Sequence, residues 1–255
     1  MRAQQRPAGC VSLSEMFAGR PCERAAQSHG LFWEQESAAR LFQLVEGVGR
    51  AVRVSSEGRR EVIAFAFPGD VVGSSARDRY PFTFEAVTAV RFRSISRELL
   101  QRWIEDVPSM AAALVDQLRE EVSAAQSRAH VLSEAGADFR MANFLLSVAR
   151  RTEGAVTGKN EFSLPMPRVD IGDHLGLTME TVCRTMTKFT RRGIIVTRGP
   201  HRIRIRNATW LLQVAREEST ERRSPPLRLC QFVPPPAQPG RQAQVLSVGR
   251  AGTKY

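Results

Sequence analysis

The sequence predicts an α+β protein with short strands first, a long helix next, and a small domain of helices and two strands last. Three observations support this order. Residues 30–92 alternate β-rich stretches with Gly- and Pro-containing turns, residues 109–132 carry apolar residues at helical spacing, and residues 168–192 hold two short helical segments joined at a glycine. At 255 residues, 42% of them hydrophobic, the chain is long enough for two folded domains.

The predicted strands cover residues 41–45, 48–54, 61–67 and 82–90, and residues 90–95 can continue the last one. Strands this short, separated by turn residues about every ten positions, are typical of a β-roll or sandwich. We expect a β-roll domain over residues 27–107. Residues 1–26 are polar and mixed, and we expect an irregular N-terminal arm there.

A helix is predicted over residues 97–104, followed by a longer one from Ser109 to Leu132 within a segment bounded at 108–134. Its apolar residues recur every three or four positions and form one stripe. Packing on the β-roll can bury part of the stripe. The alternative, which we favour, is that the same helix of a second copy of the chain buries it. The expected dimer-interface residues are Met110, Leu114, Leu118, Val122 and Ala125.

The C-terminal domain is predicted over residues 138–214, with a helix at 138–151, a strand at 162–166 and a helix-turn-helix at 168–192. Gly176 permits a positive φ that ends the first short helix, Thr178 can cap the second, and Gly193 closes it. Residues 194–197 and 202–205 predict a two-stranded wing. The Pro-rich residues 215–255 are expected to be largely disordered.

The second short helix is expected to have one polar face and one apolar face. At 100° per residue, Met179, Val182, Met186 and Phe189 lie opposite the polar residues. Glu180 can accept a hydrogen bond from cytosine N4, and Arg184 can donate to guanine or phosphate. A solvated Glu180–Arg184 salt bridge is the alternative. The polar residues are Glu180, Cys183, Arg184, Thr187, Lys188 and Arg191.

The basic charge is concentrated in the same region. Residues 165–206 hold nine arginine or lysine residues against three carboxylates, a net +6 of the formal +11. Such a cluster attracts the phosphates of double-stranded DNA, although a basic surface that only aids solubility is the alternative. The expected contacts to the DNA backbone are Arg168, Thr178, Thr187, Lys188, Arg191 and Arg202.

Residues 30–214 resemble the Crp/Fnr regulators, and within them the FixK-like branch. The most specific matches are Phe67–Gly73 (FPGDVVG) and Asp170–Arg184 (DIGDHLGLTMETVCR). The resemblance implies a cyclic-nucleotide-binding-like β-roll, a homodimer on a palindromic TTG-type site, and recruitment of RNA polymerase. It implies a transcription activator of low-oxygen respiration or nitrogen fixation. The family's base-contacting pattern E-x-x-S-R becomes Glu180, Cys183 and Arg184 here, with cysteine replacing serine.

Several family effectors are not expected. The ribose-binding glutamate position holds Ser74, and the phosphate-binding Arg-Ser pair falls near Tyr80-Pro81. Cys10 and Cys22 are too few and too far apart for an iron–sulfur cluster. His29 is a candidate haem ligand, although a lone histidine is more often a surface residue. We therefore predict no cofactor and no metal.

Cys183 has two interpretations. It is either a small residue that fits the space of serine, or a redox switch on the DNA-facing helix. Oxidation would add negative charge next to phosphate, and the nearby Arg184 and the helix N-terminus would favour a thiolate.

The sequence contains no enzyme motif, no metal-ligand pair of cysteines and no apolar run near the ~20 residues that cross a bilayer. Scattered cysteines and the lack of a secretory signal predict a reduced cytoplasmic protein. Two other functions stay open: a ligand- or haem-gated sensor of the same family, and a β-roll interaction module with a degenerate helix-turn-helix.

Overall fold

The computed structural model of the chain describes residues 13–75, 78–133, 136–152, 161–199 and 201–221. It has the predicted α+β architecture. A short 3-10 helix (Leu13–Phe17) comes first. The strands are β1 (Glu23–Ala25), β2 (Gly30–Phe32), β3 (Arg40–Glu46), β4 (Gly49–Val54), β5 (Arg60–Ala66), β6 (Val71–Val72), β7 (Thr83–Ala86), β8 (Val90–Ser96), β9 (Glu161–Ser163), β10 (Ile195–Arg198) and β11 (Arg202–Ile205). The helices are α1 (Arg97–Asp106), α2 (Pro108–Ser133), α3 (Ala137–Arg151), α4 (Arg168–Leu175), α5 (Met179–Arg191) and α6 (Ala208–Glu221).

The β-roll consists of two four-stranded antiparallel sheets, ordered β1-β8-β3-β6 and β2-β7-β4-β5. The predicted strands at 41–45, 48–54 and 61–67 correspond to β3, β4 and β5. The predicted strand at 82–90 is shorter than expected, and 90–95 is not its continuation. The backbone N–H groups of Val87 and Thr88 both donate to the Val48 carbonyl, which turns the chain from one sheet into the other.

The irregular arm predicted for residues 1–26 is wrong for residues 13–25. Met16 and Phe17 are fully buried against a cluster that includes Leu41 and Ile95, and β1 pairs with β8. The apolar residues of this segment are too few to show a periodicity, so only the tertiary contacts order it. Residues 1–12 lie outside the described residues.

Helix α2 has 26 residues, roughly 39 Å at 1.5 Å per residue. Its N-terminal turn is buried, and Met110 is only 2% exposed in the core cluster of the roll. The expectation that Met110 lies at a dimer interface is therefore wrong, because its own chain already covers it. Farther along, Val115, Leu118 and Val122 are exposed, and Leu114 is half-buried.

The C-terminal domain extends beyond its predicted end at 214, because α6 continues to Glu221. Residues 222–255, most of the predicted disordered tail, lie outside the described residues. The wing has a third strand, since β9 pairs with β11. One hydrophobic cluster joins this domain to the roll. Its members include Val62, Phe65 and Phe67 from the roll and Phe144, Ile171 and Leu175 from the C-terminal helices.

Candidate nucleic-acid interface

The helix-turn-helix is formed by two local signals, both as predicted. Gly176 has φ 62° and ψ 37°, the left-handed conformation that glycine adopts without the penalty of a Cβ, and α4 ends there. Thr178 is the N-cap of α5, and its hydroxyl accepts a hydrogen bond from the Thr181 amide at 3.1 Å. The turn between the helices is therefore only three residues long.

Helix α5 separates its residues by polarity. Val182, Met186 and Phe189 are buried, together with Thr185. Met179 was expected on the apolar face, but it is 57% exposed at the first position of α5. The six predicted polar residues are all exposed, and Thr190 is exposed as well; the predicted six are Glu180, Cys183, Arg184, Thr187, Lys188 and Arg191.

Helix α5 is anchored to α6 through its buried side and to α3 through its exposed side. The Phe189 ring meets the Trp210 ring of α6 edge to face, with 5.3 Å between centroids. Lys188 forms an ion pair with Asp138 of α3. Lys188 therefore already has a partner, whereas it was expected to contact DNA phosphate.

Glu180 and Arg184 have no ion-pair partner among the residues that the structure describes. The solvated salt bridge between them, weighed above, is absent from this conformation. Both side chains are exposed one turn apart, close to the N-terminal end of α5. This leaves the carboxylate free to accept hydrogen bonds and the guanidinium free to donate them.

Cys183 is an exposed free thiol between these two residues. Arg168, at the start of α4, lies close enough to interact electrostatically with it. Burial lowers the pKa of Arg168, and attraction to Cys183 acts in the opposite direction. Nη1 of Arg168 is buried without a hydrogen-bond partner among the described residues. Arg168 is thus half-buried behind Cys183, where an exposed phosphate contact was expected.

The wing places its basic side chains on one face. In β11, Ile203 and Ile205 are buried, whereas Arg202 and Arg204 are exposed. Arg202 lies 3.5 Å from a Glu161 oxygen, and Arg198 lies 3.7 Å from the other oxygen. The expected alternation is confirmed. No local pattern predicted that Glu161, on the third strand, neutralises part of the wing.

Arg140 connects the turn of the helix-turn-helix to the long helix. Its Nη1 donates to the carbonyl of Leu175 at 3.1 Å, and its Nη2 donates to the carbonyl of Leu132 at 3.0 Å. The carbonyls at the end of a helix have no partner within that helix, so Arg140 satisfies one at the end of α4 and one near the end of α2. No sequence pattern pointed to this residue, because its partners come from two other helices.

A second candidate site is a cavity of about 850 Å³ between the β-roll and α2. Tyr80, buried in its wall, donates its hydroxyl to the Arg40 carbonyl at 2.8 Å and stacks on Phe32. Burial raises the pKa of the Tyr80 phenol, which keeps it a neutral donor. Ser74 donates to Glu121 of α2 at 3.2 Å.

Three arginines line this cavity, and each has a partner within the chain. Arg53 pairs with Glu34 at 3.5 Å, Arg97 with Asp78 at 3.8 Å, and Nη1 of Arg79 donates to the Gln35 carbonyl at 2.6 Å. Within the described ranges, no three His, Cys, Asp or Glu side chains are grouped as metal ligands. None of the described helices is long and apolar enough to cross a membrane.

Two family models match the chain: the Crp-like helix-turn-helix domain over residues 139–223 and the cyclic nucleotide-binding domain over residues 23–106. The transcriptional activatory protein AadR of Rhodopseudomonas palustris is 36% identical over 173 residues, 68% of this chain and 72% of AadR. The chain belongs to the Crp/Fnr family. The nitrogen fixation regulation protein FixK of Bradyrhizobium diazoefficiens is 34% identical over 165 residues, 65% of this chain and 70% of FixK.

This Crp/Fnr chain is also similar to the solved structure of FixK2 from Bradyrhizobium japonicum. The identity is 31%, the TM-score is 0.72, and the match covers 76% of this chain and 96% of FixK2. The predicted family, the FixK-like branch and the fold are confirmed, and the chain is a DNA-binding transcription regulator rather than an enzyme.

Proposed function

We propose that this chain is a homodimeric transcription activator that binds a palindromic TTG-type site and acts with RNA polymerase. The observation that carries the proposal is the polar face of α5, where Glu180 and Arg184 lie exposed one turn apart, with no ion-pair partner in the described part of the chain. The relatives named as regulators of nitrogen fixation support a role in that process for this chain.

Base contacts would come from the first two turns of α5. Glu180 accepts from cytosine N4, Arg184 donates to guanine or to phosphate, and Cys183 packs between them. The backbone contacts come from Thr187, Arg191 and the wing residue Arg202, which position the helix without selecting sequence. Thr178 is exposed at the N-terminus of α5, and we propose that it lies near a DNA phosphate. Lys188 can contact phosphate only after its ion pair with Asp138 breaks.

The experiment is selection of bound sequences from random DNA duplexes, with the wild-type chain beside Glu180→Ala and Arg184→Ala. We expect Glu180→Ala to relax the preference at one position of each half-site, at a cost of about 1–3 kcal/mol in discrimination. Arg184→Ala should also weaken binding to all sequences. Unchanged sequence preference in both variants would refute the assignment.

Dimerisation is proposed through the exposed stripe of α2. Val115, Leu118 and Val122 present apolar surface at spacings of three and four, with Leu114 and Ala125 beside them. A large apolar stripe along a long helix is stabilised by a second copy of the same helix. A two-fold axis along this seam would give two α5 helices for the two half-sites of a palindrome.

The proposed DNA binding needs no cyclic nucleotide. The arginines of the β-roll cavity are engaged with Glu34, Asp78 and the Gln35 carbonyl, so a cyclic phosphate would have to displace these partners. The Glu121 carboxylate adds negative charge at the same wall. We expect saturating cyclic AMP to leave both the melting temperature and the DNA affinity unchanged.

A ligand-gated sensor is the second candidate function, favoured by the volume of that cavity. The two functions differ in whether the purified chain binds its palindrome without any additive. Specific binding by the chain alone supports the ungated activator. Binding that appears only with an added small molecule, or with haem, would favour the sensor.

We further propose that oxidation of Cys183 lowers DNA affinity. The thiolate sulfur attacks one oxygen of hydrogen peroxide, the O–O bond breaks, hydroxide leaves and a sulfenic acid forms. A second peroxide oxidises it to the sulfinate and is reduced to water. The sulfinate would lie between Glu180 and Arg184, repel DNA phosphate and attract Arg184 or Arg168 away from it. A dimer has two Cys183 residues, so oxidation would weaken the DNA contacts of both subunits.

The test is DNA affinity before and after peroxide treatment, in the wild type and in Cys183→Ser. We expect the wild type to lose at least about tenfold in affinity and the serine variant to keep its own. Because serine keeps the hydrogen-bonding capacity and size of the site, it isolates oxidation from packing. Equal loss in both proteins would refute thiol control.

A further inference from the structure

We propose that Asp170 is a positioning residue that fixes the orientation of the helix-turn-helix relative to the β-roll, through Arg50 and Arg60 on two adjacent strands of the roll. The expected effect on half-site spacing rests on the proposed dimeric DNA binding. The contacts of Asp170 that fix the orientation do not depend on that function.

The Asp170 side chain is only 2% exposed, yet both of its oxygens have a cationic partner. Oδ2 forms an ion pair with Nη1 of Arg50, which lies on β4, and Oδ1 lies 3.0 Å from Nη1 of Arg60, which lies on β5. The two arginines approach one carboxylate from neighbouring strands. A rotation of α4 over the sheet would therefore lengthen at least one of these contacts.

Each arginine also has a second carboxylate partner. Arg50 donates through Nε and Nη2 to Oε2 of Glu85 on β7, at 2.9 and 2.7 Å. Arg60 also pairs with Asp173, one turn farther along α4, at 2.8 Å. The network thus crosses three strands of one sheet and one helix.

A second contact set lies beside this network, at the carbonyl of Val62 on β5. The ring nitrogen Nδ1 of His174 lies 3.1 Å from this oxygen and donates to it, and Nη2 of Arg128 on α2 donates to it at 3.1 Å. The His174 ring packs against Phe65 at 5.2 Å and Phe144 at 5.7 Å between centroids. The roll, the long helix and the helix-turn-helix therefore meet within one junction.

A buried ion pair contributes little net stability, because desolvation offsets the attraction between its charges. It does oppose alternative arrangements, since any other orientation leaves a buried charge without a partner. Apolar contacts alone would let α4 slide over the sheet. Orientation matters here because two half-sites about 34 Å apart must be contacted together, so a small rotation at the junction displaces both α5 helices.

The test compares Asp170→Asn with Glu85→Gln. The first removes the charge that links the two domains, and the second removes a carboxylate of the same Arg50 within the roll. Nitroxide labels on Cys22 and Cys183 report the distance between the domains, in a chain that carries Cys10→Ser and Cys230→Ser. Labelled chain is mixed with excess unlabelled chain, so that few dimers carry labels on both subunits. Electron–electron double resonance then measures the distance between Cys22 and Cys183 within one chain.

We expect one narrow distance distribution in the parent and in Glu85→Gln, and a broad one in Asp170→Asn. The affinity ratio between the native palindrome and one lengthened by a base pair should fall about fivefold in Asp170→Asn, equivalent to 1 kcal/mol, and stay unchanged in Glu85→Gln. A folded Asp170→Asn with the parent's distances and the parent's ratio would overturn the proposal. Circular dichroism establishes folding.

Arg60→Gln provides a milder variant if Asp170→Asn fails to fold, because the Arg60 side chain is one-third exposed. It should broaden the distribution in the same direction, and parent-like distances in it would overturn the proposal. If the parent binds no palindrome but the distances respond as expected, the positioning role of Asp170 is supported and the proposed DNA binding fails.

Discussion

At the scale of single residues, His174 shows how the fold changes the chemistry of a side chain. The pKa of His174 falls from 6.5 to about 4, mainly through burial and then through the positive charge of Arg128, while the hydrogen bonds to the backbone of Val62 and Ile63 act in the opposite direction. The ring is therefore neutral at pH 7 and donates to a carbonyl. A neutral ring brings no positive charge to a DNA phosphate, and this one packs against Phe65 and Phe144, so the role of His174 is structural.

The free energy of unfolding should depend on pH through the protonation of His174. Because its folded pKa is depressed, the unfolded chain binds the extra proton between about pH 6.5 and 4, and stability falls as the pH falls through that window. The loss reaches on the order of 3 kcal/mol. His174→Asn, which can keep a donor near the Nδ1 position, should flatten the curve of melting temperature against pH.

His29→Asn is the control for this measurement, because His29 is exposed on the roll. It should leave the slope unchanged. The assignment to His174 is wrong if His174→Asn retains the full slope between pH 6.5 and 4.

Gly176 is the second residue with a backbone-determined role. Its φ of 62° places a Cβ too close to the following carbonyl in any other L-residue, and an added Cβ would also lie 3.3 Å from Nη1 of Arg140. We expect Gly176→Ala to lower the free energy of unfolding by about 1–2 kcal/mol in urea denaturation. Gly176→Asn should cost less, since asparagine tolerates this conformation; equal losses would contradict the left-handed explanation.

At the scale of elements, α2 has two different halves. Its first turn is part of the core of the roll through Met110, whereas Leu118 and Val122 are 44% and 57% exposed. A helix of 26 residues with an apolar stripe is expected to find a partner for that stripe. Helix α5 differs, because we propose that its polar face contacts DNA.

The double variant Leu118→Glu/Val122→Glu should convert the proposed dimer into a monomer, because two carboxylates on each helix would repel across the interface. Sedimentation velocity measures the mass, and affinity for the full palindrome should fall by roughly 100-fold or more as bivalency is lost. Ser127→Glu adds a carboxylate to the opposite face of α2 and should leave the dimer intact. A dimer that survives the double variant would place the interface elsewhere.

At the scale of the whole molecule, charge is distributed unevenly. Over half of the formal +11 falls in residues 165–206, which include α5 and the wing. Phosphate contacts release condensed counterions, so DNA affinity should fall steeply as salt rises. Glu161 reduces the charge available on the wing because it lies near both Arg198 and Arg202.

The salt dependence gives a test of the wing. Arg202→Gln should reduce the slope of log affinity against log salt by about 1 for each subunit, with little change in sequence preference. Arg24→Gln removes the same charge from an exposed position on β1 of the roll and should leave the slope as it was. Equal slopes in Arg202→Gln and the wild type would remove the wing from the interface.

Much of this fold could be predicted because its signals are local. The apolar spacing of α2, the αL glycine at 176, the N-cap at 178 and the alternation in β11 all act within a few residues of chain. The elements that the sequence missed depend on distant partners. The 3-10 helix at Leu13–Phe17 is ordered by β3, β8 and α1, and β6, only two residues long, exists as a pairing with β3.

In the candidate site, too, the locally determined features could be predicted and the long-range contacts could not. The sequence by itself determined the helix-turn-helix and the polar face that carries Glu180, Cys183 and Arg184, because helical periodicity and capping are properties of neighbouring residues. Only the tertiary structure decided that Met110 is a core residue, that Lys188 pairs with Asp138, and that Asp170 holds Arg50 and Arg60 from 120 and 110 positions away. Such contacts depend on how sheets and helices pack, and no short-range pattern encodes them.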